Sequence, residues 1–138
     1  MDLDHVIQEL RKLNEPVPKP ARLPTAQEVD QVEQALGVRF QPDYRKYLLE
    51  ASDVVYGALE PATIPSEGSH TELLKIAHEA WNRMGVPREQ LPICEDNGDY
   101  FCITPEGTVA FWSHDSRQTE EHWPNLASWI KQVWIDEG

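Results

Sequence analysis

The chain has 138 residues, 40% of them hydrophobic and including five Trp, four Tyr and three Phe, which suits one domain with a real core and argues against overall disorder. Twenty-four Asp and Glu against 12 Lys and Arg give a formal net charge of −12, and a chain without clustered cations is disfavoured as a direct binder of nucleic acid or anionic membrane. Its two cysteines form no disulfide framework, no apolar run approaches the roughly 18 residues of a membrane helix, and the acidic start Met1-Asp2-Leu3-Asp4-His5 lacks a signal peptide's basic region, so the reading is a soluble, cytoplasmic protein.

Leu3, Val6, Ile7, Leu10 and Leu13 are spaced for one face of a helix. Glu15-Pro16-Val17-Pro18-Lys19-Pro20 cannot continue it, because each proline lacks an amide donor and restricts its predecessor. Residues 1–22 are thus expected to form a helix and a semi-rigid linker that fold back on the core, with residues 23–138 as the main domain. Thr25 with Glu28 is a capping box, Val29, Val32 and Leu36 form an apolar stripe, and Gly37 ends that helix. Val38 and Phe40 enter the core, and a helix starting at Pro42 carries Tyr44, Tyr47, Leu48 and Ala51 inward.

The pattern between Asp53 and Ile64, with Val54-Val55-Tyr56-Gly57-Ala58-Leu59, predicts extended structure limited by Pro61 and Pro65. After a loop at Ser66-Glu67-Gly68-Ser69, a helix is expected from Thr71 to Met84, with Gly85 as its stop. Leu91–Cys94 and Tyr100–Ile103 flank Asn97-Gly98, a strong hairpin signal, and Val109–Trp112 follows as a third strand after the Pro105-Glu106-Gly107 turn. Asp115 to His122 is polar and charged and is expected to be a loop. Pro124 opens a last helix with Leu126, Trp129, Ile130, Val133 and Trp134 on one face. The fold class is α+β: a central antiparallel sheet meander flanked by helices.

These residues resemble a known family. Leu23-Pro24-Thr25 with Glu28, then Glu33, Leu36-Gly37 and Pro42-Asp43-Tyr44 through Tyr47-Leu48, are similar to the N-terminal signature of the SUKH superfamily. Leu91-Pro92-Ile93, Gly98 to Ile103 and Gly107-Thr108-Val109 with Trp112 and His114-Asp115 resemble its central hairpin and third strand. The likeness spans residues 23 to 136, with the first helix and the linker outside the shared pattern or at its edge. It departs at Ser52-Asp53-Val54-Val55-Tyr56-Gly57, where the family usually has a glycine-rich turn. The resemblance implies a non-catalytic binding protein, since the group holds yeast cell-wall-assembly regulators and many bacterial toxin-immunity proteins. For a bacterial member it implies neutralisation of a protein toxin, often a nuclease, by occlusion.

Candidate contact residues follow from the turns. A two-residue turn at Asn97-Gly98 sets Asp96 opposite Asp99, an unfavourable like-charge pair that a basic partner could relieve, beside Glu95; the alternative is solvated carboxylates bonding turn amides. Trp112, His114 and Asp115 could form an exposed aromatic-polar cluster, or Trp112 could be core and Asp115 a turn cap. Tyr56 and Glu60 are added by position alone. His114-Asp115 has no nucleophile beside it, the acidic turn lacks the spacing of a calcium loop, and none of the five histidines is paired for a metal. No catalytic residue, cofactor or metal is therefore expected. The two-residue turn pairs Cys94 with Phe101, whereas a three-residue loop would bring Cys94 opposite Cys102. The leading function is binding of a cognate toxin with a basic surface; the alternative is a regulatory or scaffold binding module.

Overall fold

In a computed structural model, residues 2–18, 21–64 and 68–137 are described. Helix α1 spans Leu3–Lys12, α2 Ala26–Leu36, α3 Pro42–Ala51 and α4 Leu73–Glu79, and the last continues with π-helical geometry over Ala80–Met84. Strands β1 (Leu91–Asp96), β2 (Asp99–Ile103), β3 (Val109–Ser113) and β4 (Arg117–Trp123) form one antiparallel sheet in the order β1-β2-β3-β4. Helix α5 (Leu126–Trp129) closes the chain and runs on as a π-helical Ile130–Ile135.

The start of α1 is capped by Asp2, whose carboxylate accepts the Asp4 amide, and Leu3, Val6, Ile7 and Leu10 are buried against α3 and the C-terminal helix. Arg11 donates to Asp53 at 2.7 Å and to the Glu50 carbonyl at 3.0 Å. Asn14 and Glu15 then exchange hydrogen bonds with Val55, each 2.8 Å long, so the chain leaving α1 is pinned before the prolines begin. Lys19 and Pro20 of the expected linker lie outside the described residues. At α2, Thr25 Oγ1 accepts the Glu28 amide and Glu28 accepts the Thr25 amide. Gly37, at φ 69, supplies the left-handed residue that ends the helix.

Because successive strand residues point to opposite faces, Tyr100 and Phe101 report on the two sides of the sheet. Phe101 meets Phe111, Trp123 and Trp129, which places the C-terminal helix on its side. Tyr100 faces the side of α4, which packs on β1 and shares a cleft with it through Ile76 and Glu79. Helices thus cover both faces, and strands apolar on both faces become core on both faces. The turn between β1 and β2 has two residues: Cys94 pairs with Phe101 and Asp96 with Asp99.

Two sequence readings change. Asp115 to His122 is not a loop; Arg117–Trp123 is the fourth strand, held by pairs such as Ala110 with His122 and Ser113 with Arg117. It is hidden from pattern reading because it is an outer strand with most of its side chains in solvent. It is also bulged: Thr119, Glu120 and Glu121 stand where β3 offers Phe111 alone. Val54–Leu59 forms no strand either. That part of the chain joins the sheet only beyond it, through the bridge of Pro61 to Cys94 and the Ala62 amide on the Ile93 carbonyl at 2.8 Å.

Candidate protein-binding surface

Both Asn97 (φ 52) and Gly98 (φ 90) lie in the left-handed region, which is the requirement of the tight hairpin turn that suits twisted strands. Antiparallel order brings this turn and the β3–β4 turn to the same end of the sheet. There Asp99 engages His114. One of its oxygens accepts both the His114 backbone amide at 3.0 Å and the His114 ring at 2.7 Å, so Nδ1 carries the proton in that contact. Gly98 lets the ring in, since a Cβ there would stand 3.3 Å from His114 Nδ1.

The like-charge pair foreseen at Asp96 and Asp99 is therefore relieved inside the protein as far as Asp99 is concerned. Desolvation would raise the Asp99 carboxyl, but the His114 amide and imidazole outweigh it and hold it below its ordinary value. Glu95 accepts the Gly98 amide at 2.7 Å through Oε2. Asp115 is almost wholly exposed, 3.4 Å from His114 Nε2.

Of the candidate residues, Glu95, Asp96, Asp99, His114 and Asp115 gather on these two turns. Glu60 approaches them from the neighbouring segment and pairs with His70 at 2.6 Å. Tyr56 stands elsewhere; its carbonyl accepts Trp134 Nε1 at 2.9 Å, and its side chain packs on the core. Trp112 is 2% exposed, which corrects its reading as part of an exposed cluster: the hydrophobic gain of burying an indole between β2 and its helical cover decides its place. Asp115 does not cap the turn, where the Asp115 amide instead donates to Ser113 Oγ.

Sequence reasoning missed Arg117. It occupies the left-handed region at φ 64, donates to the Met84 carbonyl at 2.7 Å and lies 5.5 Å over the Trp112 ring. Its position in a charged stretch gave no signal of this, because the partner carbonyl is 33 residues away. From Leu91 to Trp123 there are seven Asp and Glu and, as cation, Arg117 alone. The one guanidinium that could neutralise the turns is thus turned towards a helix end. Half of the net charge, −6 of −12, sits on the meander.

Among the described residues no group of three or more His, Cys, Asp or Glu is placed to hold a metal ion, and no helix is long and apolar enough to cross a membrane. Burial pushes the Cys94 thiol up to about 12, with Asp96 and Glu95 adding to it, and burial also raises Cys102.

The family model SUKH_5, described as "SMI1-KNR4 cell-wall", matches residues 3–135. The chain belongs to the SUKH superfamily. The match takes in α1 and the proline stretch, so the shared pattern reaches well before Leu23, where the sequence resemblance placed its start. A crystal structure of a protein from Pseudomonas syringae pv. tomato is similar to this SUKH protein at 43% identity, over 95% of this chain and 97% of that one, with a TM-score of 0.90. No curated protein matches. Membership carries the superfamily's general role in toxin immunity and its generally non-catalytic character.

Proposed function

We propose that this SUKH protein is an immunity protein that binds a cognate bacterial toxin and neutralises it by occlusion. The observation that carries the reading is the uncompensated charge of the sheet meander, seven carboxylates with Arg117 turned away from them. A nuclease-type effector fits such a surface, because its phosphate-binding cleft must be basic and a preorganised acidic surface can approach and cover it. The contact surface comprises Glu95, Asp96, Asp99, His114 and Asp115 on the two turns, with Glu60 beside them. Asp99 and His114 hold the two turns in one arrangement, and Asp96 and Asp115 supply outward charge. The setting in which this works is the cytoplasm of the cell that the toxin enters.

The experiment is co-purification with the product of the adjacent reading frame, combined with a toxicity test of that product in cells with and without this chain. Binding with rescue supports immunity. A harmless neighbour that forms no complex overturns it and favours a regulatory binding module, the reading nearer to the cell-wall description of the matching family.

A further inference from the structure

Between α4 and the β1–β2 hairpin lies a cleft of about 240 Å³ lined by His70, Lys75, Ile76, Glu79, Glu95 and Tyr100. Tyr100 is 3% exposed, and its hydroxyl has no hydrogen-bond partner among the described residues. The ring is thus buried while the hydroxyl reaches the open cleft, where an incoming group can meet it. Burial pushes the Tyr100 phenol up to about 12, and Glu79 and Glu95 add to the rise, so both carboxylates act on that hydroxyl.

Glu79 forms no ion pair among the described residues, and Glu95 engages only the Gly98 amide, through Oε2. Of the two basic groups on the cleft, His70 is tied to Glu60 at 2.6 Å. Lys75, one helical turn before Glu79, approaches neither carboxylate within ion-pair distance. The cleft therefore presents two carboxylates and a phenol hydroxyl, and neither carboxylate is ion-paired with a cationic side chain among the described residues.

We propose that this cleft is a socket for one arginine side chain of the protein partner. The inference rests on the binding reading above and sharpens it, since the socket opens beside the acidic turns. Arginine fits better than lysine: its planar fork of five N–H donors can serve two carboxylates and a hydroxyl at once, and it is more weakly hydrated than an ammonium group. Ile76 gives the stem an apolar wall.

The test is an NMR titration of the full chain at fixed ionic strength with acetyl-Gly-Arg-Gly-amide. The same peptide with citrulline in place of arginine is the uncharged control. Saturable shifts at Ile76, Glu79, Glu95 and Tyr100 are expected with the arginine peptide alone. The affinity is expected to fall at least fivefold in Glu79→Gln and in Glu95→Gln, and to stay unchanged in Glu106→Gln at the opposite end of the sheet. Tyr100→Phe keeps the ring and is expected to weaken binding as well. Non-saturating shifts, an equal response to the citrulline peptide, or undiminished affinity in Glu79→Gln overturn the socket. A toxin complex that forms equally well with Glu79→Gln/Glu95→Gln overturns the socket and leaves immunity standing. Peptide capture without any toxin complex does the reverse.

Discussion

Trp112 and Asp99 occupy neighbouring strands, yet they answer to different physics. Trp112 is a fully buried indole beside Tyr100, with ring centroids 6.0 Å apart. Trp112→Ala is expected to cost about 3–5 kcal/mol, because a cavity replaces a packed ring; urea unfolding followed by circular dichroism measures it. Asp99→Asn keeps the shape but removes the charge that holds His114. The Asp99 carboxyl lies below its ordinary value in the folded chain, so its contribution is present at neutral pH and is lost as pH falls through that lowered value. The variant is expected to flatten the acid side of the stability profile, and parallel urea titrations at a series of pH values check it. The thiols provide a third residue-level expectation. Cys94 and Cys102 are fully buried and their thiolates disfavoured, so an aromatic disulfide reagent should label neither in the native protein and both in denaturant.

Among the elements, α2 depends most visibly on one local device. Glu28 accepts two hydrogen bonds from Arg22, at 2.8 and 2.7 Å, as well as the Thr25 amide, and its carboxyl is lowered to about 2. A depressed carboxyl stabilises above its unfolded value and ceases to do so as pH falls to the folded one. Fraying of the first turn of α2 is therefore expected between pH 4.5 and about 2. Thr25→Ala is expected to cost about 1 kcal/mol at neutral pH, read from amide exchange in residues 26–29. Such devices are what the sequence discloses. The capping box, Gly37, Pro42 and Asn97-Gly98 each act within four residues, and each lies where reading placed it. Strand β4 was not legible, because Arg-Gln-Thr-Glu-Glu-His-Trp shows no buried alternation and owes its form to β3. The segment Val54–Leu59 misled in the opposite sense: β-branched and aromatic residues suggest a strand, but pairing decides. At the candidate surface the acidic turn was legible, whereas Asp99 on His114, 15 residues on, and Arg117 on Met84 arise only once the sheet is assembled.

At the scale of the whole molecule, charge is unevenly shared. Arg11, Arg45, Lys46 and Lys131 are tied to carboxylates on the helical side, which leaves the meander as the acidic end. Steering by such a field is screened over a Debye length of about 8 Å at physiological salt. Association with the toxin is therefore expected to slow as salt rises from about 0.05 to 0.5 M, with a smaller change in dissociation. Asp96→Lys/Asp115→Lys should slow association further and make it less dependent on salt; stopped-flow mixing at several ionic strengths checks both.

The outer strand also bears on how the protein behaves when crowded with its own copies. An open strand edge is a template on which identical chains can stack into fibres. In β4 the bulge places Glu120 and Glu121, both exposed, in the middle of that edge and breaks its run of regular pairing. Two adjacent negative charges would face their duplicates in an in-register stack of identical chains, the arrangement that gatekeeper charges oppose. Glu120→Thr/Glu121→Val is expected to leave the monomer folded yet to raise light scattering with time at high concentration. Storage life would then be limited by this one edge, well before the core loosens.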